Sequence, residues 1–528
     1  MSTAKSRALL VLSAVCTGHA HTELRTRVAP AAAYRATAPL AAPRMALGAA
    51  GGGWARRGGS LSAHVRSSLA TLRRIGGRLR APGAPSRGPA SGGSSHLGGS
   101  GAGRDGGPTA QLAATAGGGF ASRAAARERR PGKLRVLFLI SDTGGGHRAS
   151  AQALEAALHE LYPGAFDCSI LDIWTRHSRW PYNTCVQGYR CLAKRPLAWR
   201  LLWTYSVFPP TREATSLLVR AAGIVPRFER ALADASPDLV ISMHPLTQDL
   251  PLSALERLGG GRRPCPFVTV VTDLGSAHPH WFDRRVDTCF VPSEALRRAA
   301  RRRGLRNSQV RLRGLPIRPT FWQSPTGKVE TRHALGLKPD YDTVLVVGGG
   351  DGVGQLGAIV DALASAAALR ARTPTQIVVV CGRNRALCAE LQLRPWPAGV
   401  RVVVHGFVSQ MSDFMAAADV LVTKAGPGTI AEASARGLPL VLSSFLPGQE
   451  AGNVQFVTRG GFGAYRHRPS AIASTVMSWL DSPQQLADMS SNALAASRPL
   501  ATYEIAHDIG TMLVGRESQL MPRAAASS

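Results

Sequence analysis

The sequence predicts an α/β protein made of two doubly wound, Rossmann-like domains. Short apolar runs recur along the chain, and a segment with helical character follows nearly every one of them. This alternation is typical of parallel sheets that carry helices on both faces. Glycine clusters come directly after most of the runs, at the strand ends where such sheets bind ligands.

The first 130 residues are set apart from the rest by their composition. They hold 19 of the 63 basic residues but only 3 of the 33 acidic ones. A short apolar run follows Lys5 and Arg7, as in a signal peptide, and the Ala-, Arg- and Ser-rich stretch after it is typical of plastid transit peptides. We expect a two-part targeting segment or, failing that, a disordered N-terminus. Residues 81–120 are a low-complexity linker by composition, so the globular part should begin near Lys133.

The first domain is predicted to span 133–318. Its opening strand, Leu134–Ile140, leads through the glycine turn Ser141–Arg148 into a helix that ends near Leu161. Glycines at the start of a helix leave bare N–H groups that favour anions. Further strands are expected over 238–243, 267–272 and 288–291.

Residues 174–212 differ in kind from the rest of this domain. They interleave tryptophans, tyrosines and arginines, and they contain no Asp or Glu. This mixture suits a bilayer interface with anionic headgroups. It would also suit single-stranded nucleic acid, or a core helix pair with a solvated basic face. The arginine-rich run Leu296–Arg313 is a second candidate surface for anionic ligands, although such runs are usually solvated helix faces.

The second domain is predicted to span 319–475 and repeats the plan of the first. Its central stretch is Thr423–Asn453, in which a glycine turn, a helix, a strand and a second turn follow one another. Both turns should lie on one edge of the sheet, which favours a nucleotide site. Residues 476–514 are expected to be helices that pack back on the first domain, and 515–528 a disordered tail.

The totals exclude several classes of protein. No apolar run is long enough for a transmembrane helix, and the eight cysteines show no zinc or disulfide spacing. The net charge of +30 suits anionic lipid, nucleotide or nucleic acid. The single Asp-x-Asp triplet, 340–342, precedes its strand and so lies at the wrong edge for a metal-bound ligand. We therefore expect no metal.

Five motifs give the chain a resemblance to a known family. They resemble those of monogalactosyldiacylglycerol synthases, two-domain glycosyltransferases of the GT-B type that are related to the lipid II glucosaminyltransferase MurG. The matching order of motifs extends from about Leu134 to Leu513. The five segments are Ser141–Ala151, Val271–Phe282, Gly314–Phe321, Lys424–Ala433 and Pro447–Asn453. The segment Leu274–His280 departs from the usual pattern at several positions, as does Asp351, where the family has Glu.

The resemblance implies transfer of galactose from UDP-galactose to diacylglycerol, with inversion, by a peripheral (monotopic) enzyme of the plastid envelope membrane. It implies that anionic lipid activates the enzyme, with phosphatidylglycerol as the first candidate and phosphatidic acid as the second. We expect no cofactor and no nucleic-acid partner. Acceptor or anionic-lipid positions would be His147, Trp180 and Pro181. The residues implied for donor binding are Gly350, Gly406, Phe407, Lys424, Ala425, Gly426, Pro427, Gly428, Thr429, Glu432, Gln449 and Glu450.

The attacking hydroxyl needs a base, and four side chains at strand ends could serve. Imidazole titrates near neutral pH, so His147 is the first choice. Asp142, His244 and Asp273 stand at comparable strand ends and remain open alternatives. Two other functions also remain: a transferase with another UDP sugar and a membrane lipid acceptor, and a non-enzymatic nucleotide or nucleic-acid binder.

Overall fold

A computed structural model describes residues 133–193, 195–323, 326–349, 355–370 and 373–520. Within these ranges the chain forms two six-stranded sheets whose strands are all parallel. The predicted fold class, two doubly wound domains in the GT-B arrangement, is therefore confirmed. The predicted targeting region over 1–130 lies outside the described residues.

The first sheet has the strand order β2-β1-β3-β4-β5-β6. Its strands are β1 Leu134–Ile140, β2 Phe166–Asp172, β3 Leu239–Ser242, β4 Phe267–Val270, β5 Thr288–Val291 and β6 Val310–Leu312. Its helices are α1 Gly145–Leu161, α2 Ile173–His177, α3 Cys185–Leu192, α4 Pro196–Val207, α5 Pro209–Ala221, α6 Ile224–Ala235, α7 Asp249–Leu258 and α8 Glu294–Arg302.

The second sheet has the strand order β12-β11-β10-β7-β8-β9. Its strands are β7 Asp342–Val347, β8 Thr375–Val380, β9 Val400–His405, β10 Val420–Lys424, β11 Leu440–Ser444 and β12 Gly463–Tyr465. Its helices are α9 Lys328–Ala334, α10 Leu356–Ala368, α11 Arg385–Leu393, α12 Met411–Ala417, α13 Pro427–Ala435, α14 Ala451–Arg459, α15 Pro469–Leu480 and α16 Pro483–Ala496.

The central strands of each sheet are buried on both faces, which explains why they form apolar runs. In β1, Leu137 and Leu139 pack into one core cluster while Val136 and Phe138 pack into the other. The central strands of the second sheet divide between its two cores in the same way. Successive side chains of a strand point to opposite faces, so a strand covered on both sides must be apolar throughout.

Three strands were not predicted from the sequence. The edge strand β2 mixes polar and apolar side chains, β6 lies within the arginine-rich run, and β12 begins with a glycine. The arginine-rich run is thus not one helical face. Helix α8 ends at Arg302, and Arg313 forms an ion pair with Asp508 at 2.9 Å.

The end of the chain corrects our expectation that all of 476–514 packs on the first domain. Helix α16 instead contacts α13 and α15 of the second domain, where Met489 and Ala493 are buried. The chain crosses back only after Ser497, and the last helix, α17 Ala501–Leu520, then packs along α1. Residues 515–520 of the expected disordered tail are therefore helical, and 521–528 lie outside the described residues.

The crossing segments are bonded to each other. The Thr502 hydroxyl donates to the Ile317 carbonyl at 2.7 Å and accepts from the Ile317 amide at 3.0 Å. Gly314 has a φ of +124°, and a side chain there would meet Ala501 and Arg498. The two chain crossings between the domains therefore lie side by side.

The strand order reverses once in each sheet, and the helices that follow β1 and β10, α1 and α13, contact each other across a cleft between the two domains. In the first sheet the reversal lies between β1 and β3, and in the second it lies between β7 and β10. Ligands of open α/β sheets bind at such reversals, beyond the carboxyl ends of the strands. The loops after these strands carry most of the residues that the sequence analysis selected.

Candidate active site between the two domains

His147 lies near the start of α1, among side chains from the ends of β3 and β4. Its Nδ1 is 2.7 Å from Thr272 Oγ1. The imidazole ring lies 4.7 Å from the ring of His244 and 6.4 Å from that of Trp281, measured between centroids. Desolvation among these neighbours lowers the pKa of His147 to about 4. The imidazole is therefore neutral at physiological pH.

Two of the other base candidates are occupied by protein partners. Arg148 donates to both carboxylate oxygens of Asp142, at 2.8 and 2.6 Å. In His244, Nε2 lies 3.2 Å from Thr143 Oγ1 and Nδ1 accepts from the Leu246 amide at 3.2 Å. Burial moves the pKa of His244 well below its usual value.

Asp273 is placed differently, at the boundary with the second domain. It is buried, and its Oδ2 accepts a 2.6 Å hydrogen bond from the indole N–H of Trp281. Burial raises the pKa of Asp273 to about 7. The nearby Glu450 carboxylate adds to this shift, while hydrogen bonds from Trp281 and Gln449 oppose it. Asp273 therefore titrates near physiological pH and touches the second domain.

The second domain presents a glycine loop and the start of a helix to the same cleft. Helix α13 begins at Pro427 after Gly426, which has no side chain to cap the first amides. These N–H groups and the positive end of the helix dipole remain for an anionic ligand. Lys424 stands beside the loop, with its Nζ 2.9 Å from Glu450 Oε1.

Glu450 is more buried than a turn residue would be. It is 4% exposed, and its second oxygen accepts the Leu446 amide at 2.8 Å. It therefore fixes both the Lys424 side chain and the turn before α14. We call the turn Pro447–Glu450 the donor loop. Sequence reasoning found these residues but not the ion pair that joins them.

The donor loop and the start of α14 are joined to the first domain by hydrogen bonds between side chains and the backbone, which sequence reasoning missed. Ser276 Oγ donates to the Gln449 carbonyl at 2.7 Å and accepts from the Gly452 amide at 3.1 Å. Asn453 accepts from the Gly275 amide at 2.8 Å and donates to the Ala425 carbonyl at 2.9 Å. The sequence offered one indication that these segments act together, since Val271–Phe282 and Pro447–Asn453 are both among the five motifs.

Two tryptophans of α4 also reach the donor loop. The Trp199 indole N–H donates to the Pro447 carbonyl at 3.1 Å. Gly448 has a φ of +84°, and a Cβ there would lie only 2.2 Å from the Trp203 ring. The Trp203 ring in turn lies edge-on to His278, at 5.1 Å between centroids.

The remaining donor-side residues are spread around the second sheet. Phe407 is 68% exposed beyond β9, next to Gly406, with the Arg383 guanidinium 6.0 Å from its ring centre. Glu432 lies on α13, where burial raises its pKa to about 7 against the influence of Arg318. Gly350 lies outside the described residues. A separate cavity of about 420 Å³ lies at the opposite strand ends of this sheet, beside Asp419 and Leu438.

The aromatic segment 174–212 divides into an inner and an outer part. Trp174 is buried against Phe228, and Trp199 is buried as well. Large apolar side chains and arginines are exposed in the outer part. Exposed here are Trp180 (58%), Leu197 (78%), Leu201 (73%), Tyr205 (44%) and Phe208 (55%), together with Arg176, Arg179, Arg190, Arg195 and Arg200. We call this the outer face. Pro181, at its border, is partly buried and follows a cis peptide bond.

Across the part of the chain that the structure describes, none of the helices is both long enough and apolar enough to cross a membrane.

Comparison with known proteins adds to this geometry. Residues 147–317 match the family described as monogalactosyldiacylglycerol (MGDG) synthase, and residues 343–503 match the glycosyltransferase family 28 C-terminal domain. The spinach protein named monogalactosyldiacylglycerol synthase, chloroplastic, is 40% identical over 72% of this chain and 72% of its own length. The Arabidopsis thaliana protein monogalactosyldiacylglycerol synthase 1, chloroplastic, is 38% identical over 73% of this chain and 72% of its own. Among solved structures, MurG of Acinetobacter baumannii aligns with 72% of this chain and 99% of its own, at 15% identity and a TM-score of 0.46.

Proposed function

The chain belongs to the monogalactosyldiacylglycerol synthase family, and we propose that its cleft performs the galactosyl transfer with Asp273 as the base. The substrates are UDP-galactose and the free hydroxyl of 1,2-diacylglycerol. The observation that carries the assignment of the base is the position of Asp273, which belongs to one domain and contacts the donor loop of the other. The hydroxyl oxygen attacks the sugar carbon, its proton passes to Asp273, and the bond to the diphosphate breaks with inversion.

Three observations favour Asp273 over His147, the first choice from sequence. A carboxylate whose pKa is about 7 is a stronger base than an imidazole whose pKa is about 4. Asp273 faces Gln449, which resembles a sugar-facing position of the family. His147 is bonded to Thr272, the neighbour of Asp273 in the chain. We assign His147 to positioning the acceptor side of the cleft, beside Trp281.

The leaving diphosphate would be stabilised by the protein itself. The bare amides at Gly428 and Thr429, the dipole of α13 and the Lys424 ammonium would act on it together, since the end of the Lys424 side chain lies beside Gly426, where α13 begins. Binding of the diphosphate would draw Lys424 away from Glu450 and free that carboxylate for the sugar or ribose. On this proposal no divalent metal is needed, so a chelator should leave turnover unchanged.

The outer face is proposed to lie on the membrane that holds diacylglycerol. Burying a large apolar side chain contributes about 1.5–3 kcal/mol, and Leu197 and Leu201 are each exposed by more than 70%. Each arginine near an anionic surface adds about 1 kcal/mol. Leucines at 73–78% exposure suit a bilayer better than stacking on single-stranded nucleic acid, which uses aromatic faces.

An activity assay tests the proposed reaction directly. Purified protein should form monogalactosyldiacylglycerol with an inverted sugar carbon when it is given UDP-galactose and diacylglycerol in vesicles. A panel of UDP sugars tests the alternative transferase. Turnover with another UDP sugar in preference to UDP-galactose would establish that alternative instead.

A second experiment tests the membrane assignment and the role of anionic lipid. Phosphatidylglycerol in the vesicles should raise activity, and phosphatidic acid is the second lipid to try. The triple change Arg176→Gln, Arg179→Gln and Arg190→Gln should weaken vesicle binding and reduce this activation while leaving UDP binding in the absence of vesicles unchanged. Single-stranded DNA at matched salt is the competitor. Equal binding of wild type and the triple variant to anionic vesicles would contradict the assignment.

The proposed location is the plastid envelope, at the membrane surface. The spinach and Arabidopsis relatives are both named chloroplastic. The composition of residues 1–130, rich in arginine and poor in acid, is that expected of a targeting segment.

A further inference from the structure

Helix α4 joins the outer face to the donor loop. Leu197, Leu201 and Tyr205 stand four residues apart along α4, so they form one stripe of the helix that faces outward. Trp199 and Trp203 are also four residues apart and form a second stripe. One helix of 12 residues thus faces the proposed membrane on one side and the donor loop on the other.

The contacts of the inner stripe are specific. Trp199 donates a hydrogen bond to the Pro447 carbonyl, and Trp203 packs against Gly448, a glycine whose backbone conformation few other residues adopt. Three residues after Pro447, the Glu450 carboxylate holds the Lys424 ammonium. A shift of α4 therefore acts on the residues proposed to bind the donor.

The other end of α4 is attached to the first domain. Ser206 Oγ lies 3.1 Å from His278 Nε2, and Trp203 packs on the same imidazole. The Trp199 ring also packs edge-on against Tyr189 of α3, at 5.2 Å. Helix α4 therefore touches both walls of the cleft while its leucine stripe remains open to the surroundings.

We propose that Trp199 and Trp203 are positioning residues that transmit membrane binding to the donor loop, so that an anionic bilayer raises the affinity for the UDP sugar. This inference rests on the proposed function, because the bilayer is its acceptor surface. When the leucine stripe of α4 enters the lipid, the helix is held in the orientation that keeps Pro447 and Gly448 in place. In water the leucine stripe has no lipid around it, and the orientation of α4 depends on its contacts with the protein alone.

Thermodynamic linkage makes the proposal measurable without turnover. If the bilayer increases UDP affinity by some factor, UDP must increase vesicle affinity by the same factor. The probes are UDP and phosphatidylcholine vesicles that contain phosphatidylglycerol. We expect a change of roughly tenfold, within the range usual for such coupling. Both affinities can be measured on the wild-type protein by calorimetry and vesicle sedimentation.

Substitutions of single tryptophans test which residue transmits the coupling. Trp199→Phe keeps an aromatic ring but removes the N–H that bonds to Pro447. It should reduce the coupling factor towards one, and on vesicles it should raise KM for UDP-galactose with little change in kcat. Trp396→Phe is the matched control, since Trp396 lies between α11 and the start of β9, at the opposite strand ends of the second sheet, and it should leave the coupling intact.

The outcomes separate this inference from the proposed function. Equal UDP affinity with and without vesicles in the wild type overturns the coupling, even if galactosyl transfer is normal. Undiminished coupling in a folded Trp199→Phe protein overturns the assignment to this tryptophan. Failure of the wild type to transfer galactose overturns the proposed function instead. A thermal melt checks folding, and the wild-type measurement decides the coupling if the variant does not fold.

Discussion

Turnover should follow the ionisation of Asp273. Its pKa is raised to about 7, so its ionised fraction rises from about a tenth to about nine-tenths between roughly pH 6 and pH 8. If Asp273 is the base, kcat/KM should rise about tenfold over that range, because kcat/KM reports the ionisation of the free enzyme. A base at His147, whose pKa is about 4, would give a flat profile there.

Removing the hydrogen bond from Trp281 to Asp273 should shift the pH profile of kcat/KM in a known direction. That N–H stabilises the ionised form of Asp273. A hydrogen bond to a charged group contributes roughly 1.5–3 kcal/mol, and one pKa unit corresponds to about 1.4 kcal/mol. Trp281→Phe should therefore move the midpoint of the profile to higher pH by roughly one to two units.

The assay is steady-state galactosyl transfer on vesicles of fixed composition across this pH range. Wild type, Asp273→Asn, Trp281→Phe and His147→Ala should be compared, with a thermal melt for each. Asp273→Asn should abolish the pH-dependent rate. A flat wild-type profile, or Asp273→Asn turnover close to that of the wild type, would refute the assignment of the base.

Folding stability supplies a control that does not depend on catalysis. The pKa of Asp273 in the folded protein lies above its ordinary value of 3.8, so the native state prefers the protonated form. The contribution of this group to stability is fully present below about pH 4 and is lost as pH rises towards 7. A shift of about three units corresponds to roughly 4 kcal/mol. Asp273→Asn, which cannot ionise, should gain stability relative to wild type over that interval.

Three further predictions concern the donor loop and the N-terminus. Glu450→Gln should raise KM for UDP-galactose roughly 10- to 100-fold, the effect of one charged hydrogen bond. Glu450→Ala should also lower the melting temperature, because it leaves Lys424 without its partner. An unchanged KM for Glu450→Gln would exclude the donor loop from binding. Gly448→Ala should weaken UDP binding through backbone strain and a clash with Trp203. Adding Trp203→Ala should restore part of the lost affinity. If calorimetry shows that the two substitutions change the UDP affinity additively, the contact between Gly448 and Trp203 does not affect binding. Deletion of residues 1–130 should leave turnover unchanged in a standard assay, and a folded but inactive product would contradict this.

The sequence was sufficient for the fold because the strands are covered on both faces. Runs such as Leu134–Ile140 and Thr288–Val291 are apolar except for Arg135 and Thr288, and the predicted ends match the observed ones. The strands that escaped, β2, β6 and β12, lie at sheet edges. Edge strands are only partly buried, so polar side chains or glycine interrupt the apolar run by which a strand is recognised in the sequence.

The site was harder to predict because its chemistry depends on contacts between distant segments. The motifs gave His147, Lys424 and Glu450. They could not show that burial makes Asp273 a stronger base than His147, since a pKa shift depends on the fold around the group. In the sequence, nothing distinguished Trp199 from the other aromatic residues of 174–212. Its bond to Pro447 joins positions 248 residues apart, which no local pattern contains.

The double chain crossing determines how the cleft can open. A domain joined by two adjacent crossings, bonded through Thr502 and Ile317, rotates about one axis instead of swinging freely. Opening must then break the bond from the Gly275 amide to Asn453 but can keep the bond from the Ile317 amide. Hydrogen exchange at these two amides should therefore differ: we expect Gly275 to exchange whenever the cleft opens and Ile317 to exchange only when the hinge itself unfolds.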